Sequence, residues 1–323
     1  MGMVIDGTWI DDDEKYRNPE GGAFVRPESI FRGRITADGS SGYKAEAGRY
    51  HLFLAPSCPW AHRTQIYRRL KGLEDMISIT LADKPKLRSW AYSQGIGRDL
   101  EPVEGVFELH QAYISVDPGY SGRVTVPTLF DKQTWKIVNN ESSEIIRMLN
   151  TEFDGLGAVE LDLYSEDLRA EIDGFNERIY AAVNNGVYRA GFAKSQEAYE
   201  AAYHKLFDTL DYLEEVLGER RYLCGERLSE ADWRLYPTLV RFDVVYFSHF
   251  KCNKRRISDY HNLSNYLRDL YQHPGIAEIT DLVGIKHGYY SSQKNVNPTG
   301  IVPLGPEIDL PLAHDRDRLR AAA

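Results

Sequence analysis

A strand that runs into Cys-Pro and straight on into a helix constrains this chain more than any other feature. The stretch is Tyr50 to Gln65, Tyr-His-Leu-Phe-Leu-Ala-Pro-Ser-Cys-Pro-Trp-Ala-His-Arg-Thr-Gln. Tyr50, Leu52 and Leu54 alternate with the period of a strand. The pattern breaks at Ala55-Pro56-Ser57, and helix-compatible sequence follows to about Lys71-Gly72. Cys58 therefore falls between a strand end and a helix start, and Pro59 suits the first helical turn, where no backbone donor is needed. The free amides and positive dipole end of a helix favour thiolate over thiol there. Arg63 adds positive charge within the same turns. A lone cysteine is more often a small buried hydrophobe, but the strand before it and the proline after it reverse that balance. Cys58 and His62 have the i,i+4 spacing of two metal ligands, yet no matching pair that would complete a four-ligand site occurs nearby. Where a dithiol enzyme has its second cysteine this chain has Ala61, so an external thiol must resolve any mixed disulfide at Cys58.

The bulk composition narrows the class. A length of 323 residues suggests about two domains. A net charge of −9 argues against nucleic acid as a partner. No apolar run approaches the roughly 20 residues that cross a bilayer, so no membrane role is expected. Met1 to Asp13 is polar and acidic, without the features of a secretory signal. Three widely spaced cysteines do not form a disulfide framework, and the expected compartment is the cytoplasm.

Taken in order, residues 1–47 look like an extension with isolated aromatics (Trp9, Tyr16, Phe24, Phe31) that drapes over a domain, in a passive packing role or rimming the site. Residues 48–152 form the first domain. Its expected strands are 49–55, 77–82, 124–130 and 135–138, and the first two, joined by a helix, should be parallel. The connection from Asp83 to Asp117 is long enough to carry its own structure, and it contains Trp90. Pro127 inside a strand removes a ladder donor, so a cis Val126–Pro127 bond exposing the Val126 backbone to a ligand is expected. Glu141-Ser142-Ser143 opens a helix over 144–150; such a start is a ready carboxylate site or an ordinary serine cap.

After a linker at 151–161 the pattern turns helical, and residues 153–286 are expected to form an all-helical domain. Leu168, Ile172, Phe175 and Ile179 recur at helical spacing, as do Tyr199, Tyr203, Leu206, Leu210, Leu213 and Leu217. Ser229 and Asp232 suggest a capping box with Leu228 and Trp233 as its staple, and Pro237 marks a place for a kink. Another helix starts at Asn262-Leu263 and stops near His273-Pro274-Gly275. Residues 287–323, rich in Pro and Gly, form a C-terminal extension carrying Tyr289-Tyr290.

Strand–Cys-Pro–helix, a proline-bearing strand, a Glu-Ser helix start and a helical second half together resemble the glutathione transferase fold. That fold is a thioredoxin-like domain (mixed sheet, βαβ-ββα) followed by an all-helical domain. More closely, the chain resembles the Xi class, the glutathionyl-hydroquinone reductases. The motifs that carry this are Ser-Cys-Pro-Trp-Ala-His-Arg at 57–63, Ser-Gly-Arg-Val-Thr-Val-Pro at 121–127 and Asn-Asn-Glu-Ser-Ser-Glu-Ile-Ile-Arg-Met at 139–148. Val-Asn-Asn-Gly-Val-Tyr-Arg-Ala-Gly-Phe-Ala at 183–193 and Asn-Pro-Thr-Gly-Ile-Val-Pro-Leu-Gly-Pro at 297–306 extend the match over nearly the whole chain.

The resemblance implies that Cys58 is the nucleophile, that Trp90, Arg123, Val126, Glu141 and Ser142 hold glutathione, and that Tyr188 and Tyr289 hold the hydroquinone over Cys58, with Tyr290 adjacent to the latter. It also implies glutathione as co-substrate, no metal or nucleotide, and a homodimer. The segment before Trp90, Lys-Pro-Lys-Leu-Arg-Ser, departs from the family, which more often has glycine just before the tryptophan. The implied reaction is reductive removal of glutathione from S-glutathionyl-hydroquinones. Two other readings are an omega-like thiol transferase using the same cysteine on other disulfides, and a non-catalytic glutathione-binding module. An ordinary conjugating transferase would gain little from a nucleophilic cysteine.

Overall fold

The computed structural model describes residues 2–11, 21–86 and 88–319; Tyr16 and the stretch 12–20 lie outside the described residues. Among the described residues, 2–11 and 26–162 form one compact unit, and 21–25 with 163–319 form another.

The first unit is built on short strands. Two N-terminal strands, β1 (Met3–Ile5) and β2 (Thr8–Ile10), pair as an antiparallel hairpin. The small strands β3 (Ile35–Thr36) and β4 (Tyr43–Lys44) follow. The central strand β5 (Tyr50–Leu54) is buried along its whole length. It leads through Cys58 into helix α1 (Pro59–Leu70) and on to β6 (Ile77–Leu81), which lies parallel to β5 as expected. The stretch 83–117 does carry structure: β7 (Ala91–Tyr92) pairs with β8 (Phe107–Glu108), and helix α2 (Leu109–Val116) begins at once.

Strands β9 (Thr128–Asp131) and β10 (Lys136–Asn139) complete a mixed four-stranded sheet in the order β10-β9-β5-β6, and helix α3 (Ser142–Thr151) follows. The β9 ladder begins after Pro127, which has no N–H to give it. Trp135, expected in the fourth strand, instead occupies the turn with a φ of 59°, so β10 starts at Lys136.

The turn from β9 to β10 is anchored by a buried ion pair. Asp131 accepts from Arg49 Nε at 3.0 Å and Nη2 at 2.7 Å, from Gln133 N at 2.9 Å and from Thr134 Oγ1 at 2.7 Å. Burial pushes the Asp131 carboxyl up, but the Arg49 guanidinium and the other donors outweigh it and hold the group below the usual carboxylate range. A carboxyl lowered on folding contributes stability that is present above its unfolded value of about 3.9 and is lost as pH falls through the folded one. The urea midpoint of the wild type is therefore expected to drop more steeply below about pH 4 than that of Asp131→Asn.

The sheet unit continues past the expected boundary at 152 because its linker is tied to the end of α1. Lys71 Nζ donates to Asp154 Oδ1 at 2.7 Å and Leu161 O at 2.9 Å, Val159 N donates to Lys71 O at 3.0 Å, and Asn150 Nδ2 reaches Asp162 Oδ1 at 2.7 Å.

The second unit is helical: α4 (Arg169–Ile179), α5 (Gly186–Gly191), α6 (Gln196–Glu219), α7 (Glu230–Arg241), α8 (Phe247–His249), α9 (His261–Tyr271) and α10 (Leu282–Ser292). The stripe from Leu206 to Leu217 on α6 is buried. The Ser229–Asp232 capping box starts α7 with both reciprocal bonds present. A π-helical turn precedes α5 (180–184) and another follows α7 (242–246). Helix α10 runs through Ser292, so Tyr289 and Tyr290 sit on a helix, not in an irregular tail. In the same unit Phe24 packs on Phe192 with ring centroids 5.3 Å apart, and Lys194 N donates to Gly22 O at 2.9 Å. Among the described residues no helix is long and apolar enough to cross a membrane.

Candidate active site

Strand register brings Cys58, Val126 and the Glu141–Ser142 helix start to one end of the sheet. Leu54 lies opposite Leu81 and Phe53 opposite Thr128, so β5 ends beside the turn that precedes β9. Asn139 lies opposite Leu129, so β10 ends there too and hands over to Glu141 and α3. Cys58 is the residue just before α1, with Pro59 at its first position. Its thiol donates to the carbonyl of Val126 at 3.3 Å. The Val126–Pro127 bond is cis, as expected. The turn that presents Val126 is held from three sides: Tyr113 Oη donates to Thr125 O at 3.1 Å, Thr128 Oγ1 to the same carbonyl at 2.7 Å, and Asn140 Nδ2 to Thr125 Oγ1 at 3.2 Å.

Glu141 caps α3, its Oε1 accepting from Ser143 N at 3.0 Å and Ser143 Oγ at 2.9 Å. Ser142, 3% exposed, is the first residue of that helix. The Arg123 carbonyl accepts from Tyr120 Oη at 2.7 Å, and the side chain is half-buried. Trp90 lies in the loop before β7, and Lys86 Nζ is 4.5 Å from its ring centroid. The Trp90 carbonyl accepts from Leu109 N at 2.9 Å. Glu108 clamps the same loop, accepting from Arg88 N at 2.9 Å and Ser89 N at 3.1 Å, and Ser89 Oγ lies 3.0 Å from His110 Nδ1. Glu108 and His110 bear no local mark in the sequence; the hairpin of β7 and β8 alone brings them to Trp90. Arg63 is buried with its guanidinium 4.6 Å from the Trp60 ring, and Arg26 lies 4.9 Å from that ring.

In the helical unit the structure joins Tyr188 to Tyr289. Their hydroxyl oxygens are 2.5 Å apart, and the Tyr246 hydroxyl lies 3.0 Å from that of Tyr289. Tyr290 turns elsewhere and bonds Ser248. Burial raises Tyr246 and Tyr289 well above the usual phenol value, so both are protonated at neutral pH. Helical spacing does not mark Tyr246 in the sequence, because it lies in a π-helical turn. Such turns are frequent at functional sites. Among the described residues no group of His, Cys, Asp or Glu is arranged to hold a metal ion.

All three cysteines are free and buried. Cys58 is 8% exposed and Cys224 7%. Burial pushes Cys224 up to about 11 and Cys252 higher still, so both are thiols at neutral pH. Iodoacetamide at pH 7 is expected to label Cys58 at least about tenfold faster than either; peptide mapping of a time course checks this, and equal rates would contradict it.

The class that this sheet, cysteine and helical unit define is the glutathione transferases. The glutathione S-transferase N-terminal domain model matches residues 57–152 and the C-terminal domain model residues 196–269. The chain is 50% identical to the glutathionyl-hydroquinone reductase YqjG of Escherichia coli, over 98% of this chain and 99% of that one. It is 51% identical to the glutathionyl-hydroquinone reductase PcpF of Sphingobium chlorophenolicum, over 96% and 98%. The glutathione-bound structure of YqjG matches with a TM-score of 0.86 at 48% identity, covering 98% of this chain and 99% of that one. The Xi-class transferase of Natrialba magadii matches with 0.88 at 42% identity, covering 99% and 97%. The chain belongs to the glutathionyl-hydroquinone reductase family, the Xi class of glutathione transferases.

Proposed function

We propose that this protein reductively removes glutathione from S-glutathionyl-hydroquinones, giving the hydroquinone and glutathione disulfide. The observation that carries the reading is a cysteine at a helix start without a second cysteine beside it, in a chain half identical, end to end, to two glutathionyl-hydroquinone reductases. In this reading the 48–152 region binds glutathione and the 153–286 region, with Tyr289 from the 287–323 segment, binds the hydroquinone; 1–47 is the extension. The Val126 backbone pairs with the cysteinyl part of glutathione as an open strand edge does. Ser142 and the first amides of α3 take the γ-glutamyl carboxylate and Glu141 its ammonium. Arg123 takes the glycyl carboxylate, and Trp90 closes the site. Tyr188 and Tyr289 bind the dihydroxybenzene by stacking and hydrogen bonds.

The Cys58 thiolate attacks the substrate's sulfur. A Cys58–glutathione disulfide forms as the sulfur–carbon bond breaks, and the bonding pair leaves with the ring carbon, which takes a proton. A protonated tyrosine of the Tyr188–Tyr289–Tyr246 group is the donor this reading favours. A second glutathione then attacks the mixed disulfide, releasing glutathione disulfide and the Cys58 thiolate. The protein works as a cytoplasmic homodimer.

Activity on glutathionyl-menadione, reduced to its hydroquinone, against activity on hydroxyethyl disulfide tests the reading. A preference for the disulfide would favour an omega-like thiol transferase, and no activity on either with glutathione still bound would favour a binding module. Replacing Tyr188 and Tyr289 together with Phe is expected to raise the KM for the glutathionyl-hydroquinone about tenfold or more while sparing glutathione binding. Unchanged kinetics would remove both from the site.

A further inference from the structure

The stretch that the sequence presents as an extension is stitched to the glutathione end of the sheet. Arg32 forms an antiparallel bridge with Asn139, and Gly33 N donates to Val138 O at 2.8 Å. Asn139 Nδ2 returns a bond to Gly33 O at 2.9 Å. Asn140 N donates to Phe31 O at 3.1 Å, and Phe31 N donates to Asn140 Oδ1 at 3.2 Å. These bonds cover the open edge of β10, which otherwise presents unpaired backbone groups. Arg32 forks onto Glu144, with Nε 2.8 Å from Oε2 and Nη2 bonded to Oε1.

This stitching delivers Ser29. Its hydroxyl lies 3.2 Å from both Asn140 O and Glu141 Oε2. Each oxygen of an ionised carboxylate accepts about two bonds. On Glu141, Oε1 is filled by Ser143 N and Ser143 Oγ. Oε2 shares the single Ser29 proton with Asn140 O, which leaves one acceptor position on Oε2 for a ligand. The carboxylate is thus held at both oxygens, by its own helix and by a segment far away in the chain.

We infer that Ser29 is a positioning residue for the γ-glutamyl ammonium of glutathione: it fixes the Glu141 carboxylate so that the remaining acceptor of Oε2 is pre-aimed before the ligand arrives. The inference rests on the reading of Glu141 given above. Preorganisation of this kind raises affinity by lowering the ordering cost at binding.

The test is calorimetric, on the full chain carrying Cys58→Ser so that no disulfide forms. Two probes are titrated, glutathione and its analogue lacking the γ-glutamyl amino group. In the Cys58→Ser chain the expected preference for glutathione is about tenfold or more, as for a bond to a charged group. Adding Ser29→Ala is expected to cut that preference at least about threefold. Ser29→Thr, which keeps a hydroxyl, is expected to restore it. Arg34→Ala, which breaks the exposed ion pair of the same segment with Glu152, is expected to leave it alone. A preference that survives Ser29→Ala but is lost in Glu141→Gln overturns the inference and leaves the reading of Glu141 standing. An equal loss in Arg34→Ala also overturns it, because the effect would then belong to the segment's docking and not to Ser29. A preference that survives Glu141→Gln, or no binding of glutathione at all, sinks the reading and the inference together.

Discussion

Cys58→Ser is expected to lower reductase turnover by several orders of magnitude, the scale on which loss of a covalent nucleophile registers. A serine alkoxide is not accessible at neutral pH, and an oxygen cannot form the stable mixed disulfide that the second glutathione must attack. Glutathione binding should persist, because the residues proposed to hold it, Trp90, Arg123, Val126, Glu141 and Ser142, belong to other segments of the sheet unit. A weak conjugating activity is expected in its place, since a serine hydroxyl can donate to the thiolate of bound glutathione. Steady-state kinetics with a glutathionyl-hydroquinone and with an electrophilic aryl halide read the two activities side by side. Retained reductase turnover would mean that the sulfur of Cys58 forms no bond in the reaction.

The second large effect is on stability and lies at Asp232. This carboxyl is fully buried and accepts from Leu223 N at 2.9 Å, Ser229 N at 2.9 Å, Ser229 Oγ at 2.7 Å and Tyr266 Oη at 2.7 Å. Burial pushes the carboxyl up and these four bonds pull against it, leaving it above the usual carboxylate range. Asp232→Ala strands two backbone donors and the Tyr266 hydroxyl away from water. With each unsatisfied buried group costing about 1–3 kcal/mol, a loss of about 3–5 kcal/mol is expected. Asp232→Asn keeps an acceptor but adds a donor where Ser229 already donates, so its loss should fall between. Urea midpoints of the three chains rank the losses, and a cost below about 1 kcal/mol for Asp232→Ala would show that Ser229 and Tyr266 find other partners.

These two sites were legible in the sequence for the same reason: each is a local signal. Cys58 is announced by the strand before it and the proline after it, and Asp232 by Ser229 three residues earlier. The helical stripe on α6 and the cis bond at Val126–Pro127 also follow from neighbours in the chain. What escaped depends on partners that sequence proximity does not reveal. Ser29 and Glu141 are 112 positions apart, and nothing around Ser29 marks it. Tyr246 was hidden by the π-helical turn that carries it. Helix α10 was hidden by Gly284 and Gly288, which weaken any helical reading, so Tyr289 and Tyr290 fell into an apparent tail. Once α10 forms, its geometry separates the two: Tyr289 meets Tyr188 and Tyr246, and Tyr290 meets Ser248.

The central claim is that the chemistry passes through a covalent intermediate on one named sulfur. It is tested most directly by mixing the wild-type chain with glutathionyl-menadione, reduced to its hydroquinone, in the absence of free glutathione. Peptide mass spectrometry and product analysis then follow a single turnover. The expected result is one glutathione on the Cys58 peptide for each menadiol released, removed again when free glutathione is added. Menadiol released without a label, or a label on the Cys224 or Cys252 peptide, would contradict the account.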